Sequence, residues 1–257
     1  MMFTRFKINY FLILICFFLC QDLANAAVQP PQITPEQFTQ TEFKLIVFLG
    51  RPGAGKGTLA QHLISRGYKH ISVGDLLREE LRQNSALGLK YRKYIETGHS
   101  LLPPNVVESI IFKKIVSSIH SQDKLVLDGF PRTISQAQAL ETLLKKNQVD
   151  HAVRYIYIKT SEKNAKARVL GRQVCTNCHA VYHIKFCPPV SSGICNHCKN
   201  KLIQRSSDNE RDILKRMDVY NTSVHGVIQY YKKSRNLLEI NGNKTIAHCI
   251  NSLDRRV

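Results

Sequence analysis

Gly50-Arg51-Pro52-Gly53-Ala54-Gly55-Lys56-Gly57-Thr58 is the stretch from which the rest of the chain can be read. It follows Leu45-Ile46-Val47-Phe48-Leu49, an apolar run of the length of a buried strand. It precedes a segment in which Leu59/Leu63 and Ala60/Ile64 stand one helical turn apart. Gly50, Gly55, Lys56 and Thr58 occupy the fixed positions of G-x-x-x-x-G-K-[ST], in the strand–loop–helix context that a phosphate-binding loop needs. The chemistry follows from the residue types. Glycines let successive backbone N–H groups point inward at phosphate oxygens, and a helix N-terminus adds partial positive charge. Lys56 reaches the β- and γ-phosphates, and the Thr58 hydroxyl is placed to ligate Mg²⁺.

Outward from this loop, extended and helical patterns alternate. Further strands are expected at 68–72, 124–128, 154–158 and 237–240, and the last helix at 246–253. A helix is expected to start at 74–79, with others at 105–119, 137–145, 162–171 and 209–233. Val107, Ile111 and Ile115 recur every four residues, and Ile213, Met217 and Val224 should face inward. The alternation predicts an α/β fold of the P-loop NTPase kind: a five-stranded parallel sheet flanked by helices. Ligands in such sheets bind at the carboxyl ends of the strands. Asp128 stands at one such end. It is either a Walker-B acid that holds Mg²⁺ through water beside Thr58, or the first residue of an Asp-Gly turn.

The 257 residues are 43% hydrophobic and carry a net charge of +18. That charge suits polyanionic partners: nucleotides, nucleic acid or an anionic membrane. It equally suits a lysine-rich solvated surface, and no basic run interleaved with aromatics points to nucleic acid. Arg78, Arg132, Arg168, Arg172, Arg205 and Arg216 fall at expected helix starts and loops. As a set they suit a phosphate-dense site, because guanidiniums grip phosphates with planar, bidentate bonds. Taken singly, each is an ordinary surface ion-pair partner.

Residues 1–26 read as a secretory signal peptide: Arg5 and Lys7, an apolar run at 10–20, then Ala24-Asn25-Ala26. The run is too short to span a bilayer. Export to a periplasm or the medium follows; an uncleaved anchor, or a start codon placed too early, are the alternatives. Residues 27–42, with Pro30, Pro31 and Pro35, read as a linker.

Of the eight cysteines, Cys16 and Cys20 fall in the signal. Cys175-x₂-Cys178 and Cys195-x₂-Cys198 have the spacing of a structural zinc site built from two knuckles. Two disulfides are the competing reading, favoured by an oxidising compartment. His179, His183 and His197 lie close enough in sequence for a ligand swap, while Cys187 and Cys249 read as small buried residues or stray thiols.

From residue 43 to about 253 the chain resembles the adenylate kinases of the bacterial, long-lid, zinc-bearing type. The resemblance rests on segments in the family's order and spacing: 50–58, 74–78, 128–136, 168–172, the four cysteines, and 205–216. It implies reversible transfer of the terminal phosphoryl of MgATP to AMP, giving two ADP, by a monomer with structural Zn²⁺. It also implies a core (43–71, 103–170 and 209–257), an NMP-binding arm (72–102) and a lid (171–208). Carried over residue by residue, ATP would be held by Gly53, Ala54, Gly55, Lys56, Gly57 and Thr58, with Arg168 and Arg172 on its phosphates. Val181, Tyr182 and Lys244 would lie near its base or sugar. AMP would meet Val73, Arg78, Leu101, Leu102, Gly129, Phe130, Pro131 and Arg132, with Gln136 reading the adenine edge. Arg205 and Arg216 would bridge both nucleotides. The sequence departs from the family at Val73, where Thr is usual, and at Ser207, where the first of two aspartates is usual; the 99–103 loop is one residue longer. A UMP/CMP-type kinase, an exported nucleotide-binding protein with little catalysis and a zinc-ribbon nucleic-acid binder are the other readings. No nucleic acid and no stable membrane partner are expected.

Overall fold

The computed structural model describes residues 44–234 and 236–257, so the signal peptide, the linker and Phe43 lie outside the described residues. β1 (Lys44–Leu49) is buried from its second residue on, and both neighbours pair with it in parallel. With β2 (Tyr68–Ser72), β3 (Lys124–Asp128), β4 (Val153–Lys159) and β8 (Leu237–Asn241) it forms a five-stranded parallel sheet, order β2-β3-β1-β4-β8. Alternate β1 side chains feed two cores: Leu45, Val47 and Leu49 on one face, Ile46 and Phe48 on the other. Burial on both faces explains why this strand reads as an unbroken apolar run.

Around the sheet lie α1 (Lys56–Ile64), α2 (Val73–Arg82), α3 (Ala86–Lys90), α4 (Arg92–Thr97), α5 (Pro104–His120), α6 (Ile134–Lys146) and α7 (Glu162–Leu170). The chain closes with α8 (Glu210–Val219), α9 (His225–Lys233) and α10 (Ile246–Asp254). Between α7 and α8 a small antiparallel sheet, order β6-β5-β7, is built from β5 (Arg172–Cys175), β6 (Val181–His183) and β7 (Leu202–Ile203).

Two expected helices differ in detail. The first starts at Lys56 rather than Leu59, because Gly55 takes a left-handed cap; Ile64 at its end is 40% exposed. The segment 209–233 is not one α-helix: a π turn at Tyr220–Val224 separates α8 from α9. The inward positions Ile213, Met217 and Val224 are nonetheless buried. Among the described residues no helix is long and apolar enough to cross a membrane.

Candidate active site

The glycine loop leaves β1 between β3 and β4, at the point where the strand order diverges, which is where open parallel sheets bind ligands. Gly53 has φ +80°, and a Cβ there would collide with the Ala165 carbonyl of α7, so only glycine lets the loop pack this closely. Lys56 Nζ donates to the carbonyls of Gly50 (2.9 Å) and Arg51 (3.2 Å) and lies 3.7 Å from Asp128. Burial pushes the Lys56 ammonium below its ordinary range, with Arg132, Arg216 and Arg172 adding to the effect and Asp128 opposing it.

The loop floors a cleft of ≈ 1350 Å³. Every nucleotide-contact residue expected from the sequence lines it, from the glycine loop and Asp128 to Leu101, Leu102, Val181 and Lys244. The six arginines converge there. Arg168 Nη1 donates to the Ala54 carbonyl (3.4 Å), and Arg132 Nε to the Gly129 carbonyl (3.0 Å). Arg172 grips Asp208 with two bonds (2.8 and 2.5 Å), and Arg216 reaches the same carboxylate at 3.2 Å. Arg78 (2.5 Å) and Arg205 (3.1 Å) share Asp75.

Crowded guanidiniums alter each other's titration. Burial and the charges of Arg78 and Arg172 lower Arg205 to about 9; burial and Arg172 lower Arg216 to about 10. Burial by itself would raise the Asp75 carboxyl, but Arg78 and Arg205 outweigh it and hold the group well below the usual carboxylate range. A cleft in which cations depress each other is short of negative charge.

Local structure sets each position. Ser72 caps α2 by accepting from the Asp75 N–H, and Thr133 caps α6 by accepting from the Gln136 N–H. Gln136 Oε1 in turn accepts from the Arg132 N–H at 2.8 Å, one residue before the cap that a capping box would bond. Half of the Gln136 amide is therefore committed to backbone, which leaves its NH₂ for a base edge. Tyr182 lines the cleft, but its hydroxyl lies 3.4 Å from Cys195 Sγ and accepts from the Asn196 N–H, so the phenol serves the cysteines rather than the cleft. Val181 stands against the glycine loop: a Cβ on Gly57 would lie 3.7 Å from its Cγ2.

Asp75 and Asp208, which hold the arginines in place, were not among the residues expected to matter. Asp75 had a signal, since Ser72-x-x-Asp75 is a capping pattern. Asp208 had one only through the family resemblance, as the second of the two aspartates usual there; no local pattern pairs it with Arg172, 36 residues away. Another contact without a local signal joins His99 Nε2 to Asp212 Oδ1 at 2.7 Å.

Cys175, Cys178, Cys195 and Cys198 are free thiols, and their sulfurs all lie within 4.8 Å of one another. The closest pairs are Cys175/Cys198 at 3.3 Å and Cys178/Cys195 at 3.5 Å. A tetrahedral zinc with bonds of about 2.3 Å sets its sulfurs roughly 3.8 Å apart, so the donor set fits that ion. The Asn177 N–H donates to Cys175 Sγ (3.4 Å). His183 is engaged elsewhere: its Nδ1 accepts from the Lys185 and Phe186 N–H groups. Cys249 is buried and Cys187 exposed.

The adenylate kinase family model matches residues 48–236. The chain belongs to the adenylate kinase family. An adenylate kinase of Clostridium botulinum is 40% identical over 205 residues, covering 78% of this chain and 92% of the relative. Those of Geobacillus sp. (37% over 203 residues; 78% and 92%) and Caldicellulosiruptor saccharolyticus (38% over 205; 79% and 93%) are similar. Adenylate kinases are nucleoside monophosphate kinases, and an arginine-lined cleft suits such a phosphotransferase. Of this kinase's two departures, Val73 is 5% exposed at the first turn of α2, with its Cβ 3.5 Å from where a Cβ on Gly129 would lie. Ser207 gives its carbonyl to Arg216 (3.5 Å), and the neighbouring Asp208 carries the arginine contacts alone.

Proposed function

We propose that this kinase transfers the terminal phosphoryl group of MgATP to AMP, reversibly, giving two ADP. The observation that carries the reading is the convergence of Lys56 and six arginines on one cleft that reaches from the glycine loop to Gln136. A donor triphosphate facing an acceptor monophosphate is densely negative, and phosphoryl transfer needs positioning and charge neutralisation more than covalent help. In this reading Gly53 to Thr58, Arg168 and Arg172 hold the ATP phosphates, and Val181 and Lys244 flank its nucleoside. Arg78, Arg132 and the Gln136 NH₂ orient AMP, with Val73, Leu101 and Leu102 against it. Arg205 and Arg216 span the two phosphate groups, releasing Asp75 and Asp208 as they do so. Closing of the 171–208 lid and the 72–102 arm over a core of 43–71, 103–170 and 209–257 excludes water, which would otherwise take the phosphoryl group.

Thr58 and Asp128 would hold Mg²⁺, which supplies neutralisation of the β- and γ-phosphate oxygens when bound. Zn²⁺ on the four cysteines would be structural: four thiolates close the tetrahedron and leave no position for a substrate.

The test is a coupled assay of purified protein with MgATP and each of AMP, UMP, CMP and GMP. AMP should be preferred at least roughly 10-fold in kcat/KM, and Lys56→Ala should abolish turnover. Preference for a pyrimidine monophosphate would replace the acceptor assignment while leaving the donor loop intact.

We infer, from residues 1–26, that the chain is exported. N-terminal sequencing of the protein from fractionated cells should begin at Ala27; recovery of the intact N-terminus from the cytosol would contradict export.

A further inference from the structure

Arg51 is the one charged residue of the glycine loop besides Lys56. Gly50 and Pro52 on either side of it line the cleft, and Arg51 does not. Its guanidinium is instead held by residues distant in sequence. Cζ sits 5.1 Å from the centroid of the Tyr220 ring, and Nη1 lies 3.6 Å from Glu162 Oε2 at the start of α7. Nε is buried and finds no hydrogen-bond partner among the described residues. Tyr220 is fixed in turn: it is buried, and its hydroxyl donates to the Tyr157 hydroxyl on β4 at 3.4 Å.

These contacts make Arg51 a poor stabiliser of the fold. The Glu162 side chain is more than half exposed, so water and salt screen the ion pair. A buried N–H left unpaired costs free energy, and so does desolvating the rest of the guanidinium. Against these stands the attraction of a cation for the face of an aromatic ring, strongest where water is excluded. The opposing terms leave little net gain for folding; what the side chain fixes is the backbone that bears it. The Arg51 carbonyl accepts from Lys56 Nζ (3.2 Å) and from the Ala54 N–H (3.0 Å). A clamp on Arg51 therefore sets both the curl of the loop and the place from which Lys56 departs for a phosphate. Tyr220 begins the π turn that follows α8, the helix bearing Arg216. The stack thus joins the glycine loop to the element that brings a phosphate-binding arginine from far along the chain.

We propose that Arg51 is a positioning residue for the donor nucleotide: stacked on Tyr220, its side chain holds the glycine loop in the shape that receives the triphosphate. The proposal rests on the reading of this loop as the MgATP site and is independent of which monophosphate is accepted.

The test is calorimetric titration of the full chain with MgATP in the absence of an acceptor. Arg51→Leu and Tyr220→Leu should each weaken MgATP binding about 5- to 10-fold. The double variant should lose no more than about 10-fold, because both single changes break one contact. Arg51→Lys, which keeps a cation over the ring, should bind MgATP within about 3-fold of the wild type. The monophosphate that the wild type binds most tightly should bind both Arg51 variants within about 2-fold of its wild-type affinity, which a general loosening of the fold would not allow. If Tyr220→Leu does not fold, Tyr220→Phe is titrated in its place; it keeps the ring and should stay within about 2-fold of the wild type for MgATP. Wild-type affinity in Arg51→Leu, equal losses for MgATP and the monophosphate, losses that multiply in the double variant, or a Tyr220→Phe loss as large as that of Arg51→Leu would each overturn the proposal. A wild type that binds no MgATP would remove the donor reading, and the proposal with it.

Discussion

Asp208 is 1% exposed and is the shared anchor of Arg172 and Arg216. Replacing it by Asn keeps the shape and removes the charge, leaving two half-buried guanidiniums facing each other without a counter-ion. Asp208→Asn should lower stability by about 2 kcal/mol and reduce kcat by roughly 10²-fold, measured by denaturant unfolding and steady-state rates. An unchanged kcat would show that the carboxylate does not order the cage. Val73 poses the opposite case, a position where a hydroxyl has been removed. Thr has nearly the same shape and fits at the first turn of α2, beside Gly129. Val73→Thr should therefore fold normally and lower the KM for AMP about 3- to 10-fold with kcat little changed, in line with one added hydrogen bond of about 1 kcal/mol. A KM that stays put would place the Val73 side chain outside the acceptor's reach.

At the scale of elements, what could be read in advance was what sequence encodes locally. The glycine loop, the apolar strands and the two Cys-x₂-Cys knuckles each lie within a few residues and came out where expected. The π turn at Tyr220–Val224 did not, because apolar spacing carries through it without a break. Its consequence is local: Tyr220 comes under the Arg51 guanidinium, 5.1 Å from ring centroid to Cζ, and lines the cleft. Gln136 was legible as a cleft residue but not as the partner of the Arg132 backbone, since the same Thr-x-x-Gln spacing serves a helix cap and a ligand. The small sheet β5–β7 shows a different dependence. Its core is Ala180, Tyr182 and Leu202 with Cys175 and Cys195, too little apolar surface to hold the segment alone. Elemental analysis should find about one zinc per chain, with thiolate ligation by absorption of a cobalt-substituted form. Stripping the metal, or Cys195→Ser, should lower the unfolding temperature and open 171–208 to proteolysis. Metal-free protein of equal stability would leave the knuckles without a structural ion.

For the whole molecule, the cleft depends on contacts that no local pattern encodes. Arg205 reaches Asp75 across 130 residues of sequence, and Arg168 reaches Ala54 across 114. These contacts arise because β1 sits centrally between β3 and β4, so that loops leaving distant strands meet at one edge. The family resemblance anticipated which arginines gather there, while the pairing of Asp75 and Asp208 with those arginines became visible only in three dimensions. The central claim is that this gathered charge passes a phosphoryl group between two nucleotides and keeps water out. Phosphorus NMR of purified protein with MgATP and AMP measures that directly. Two ADP should form for each AMP consumed, with inorganic phosphate below roughly 1% of product. Release of inorganic phosphate from ATP whether or not AMP is present would contradict the account.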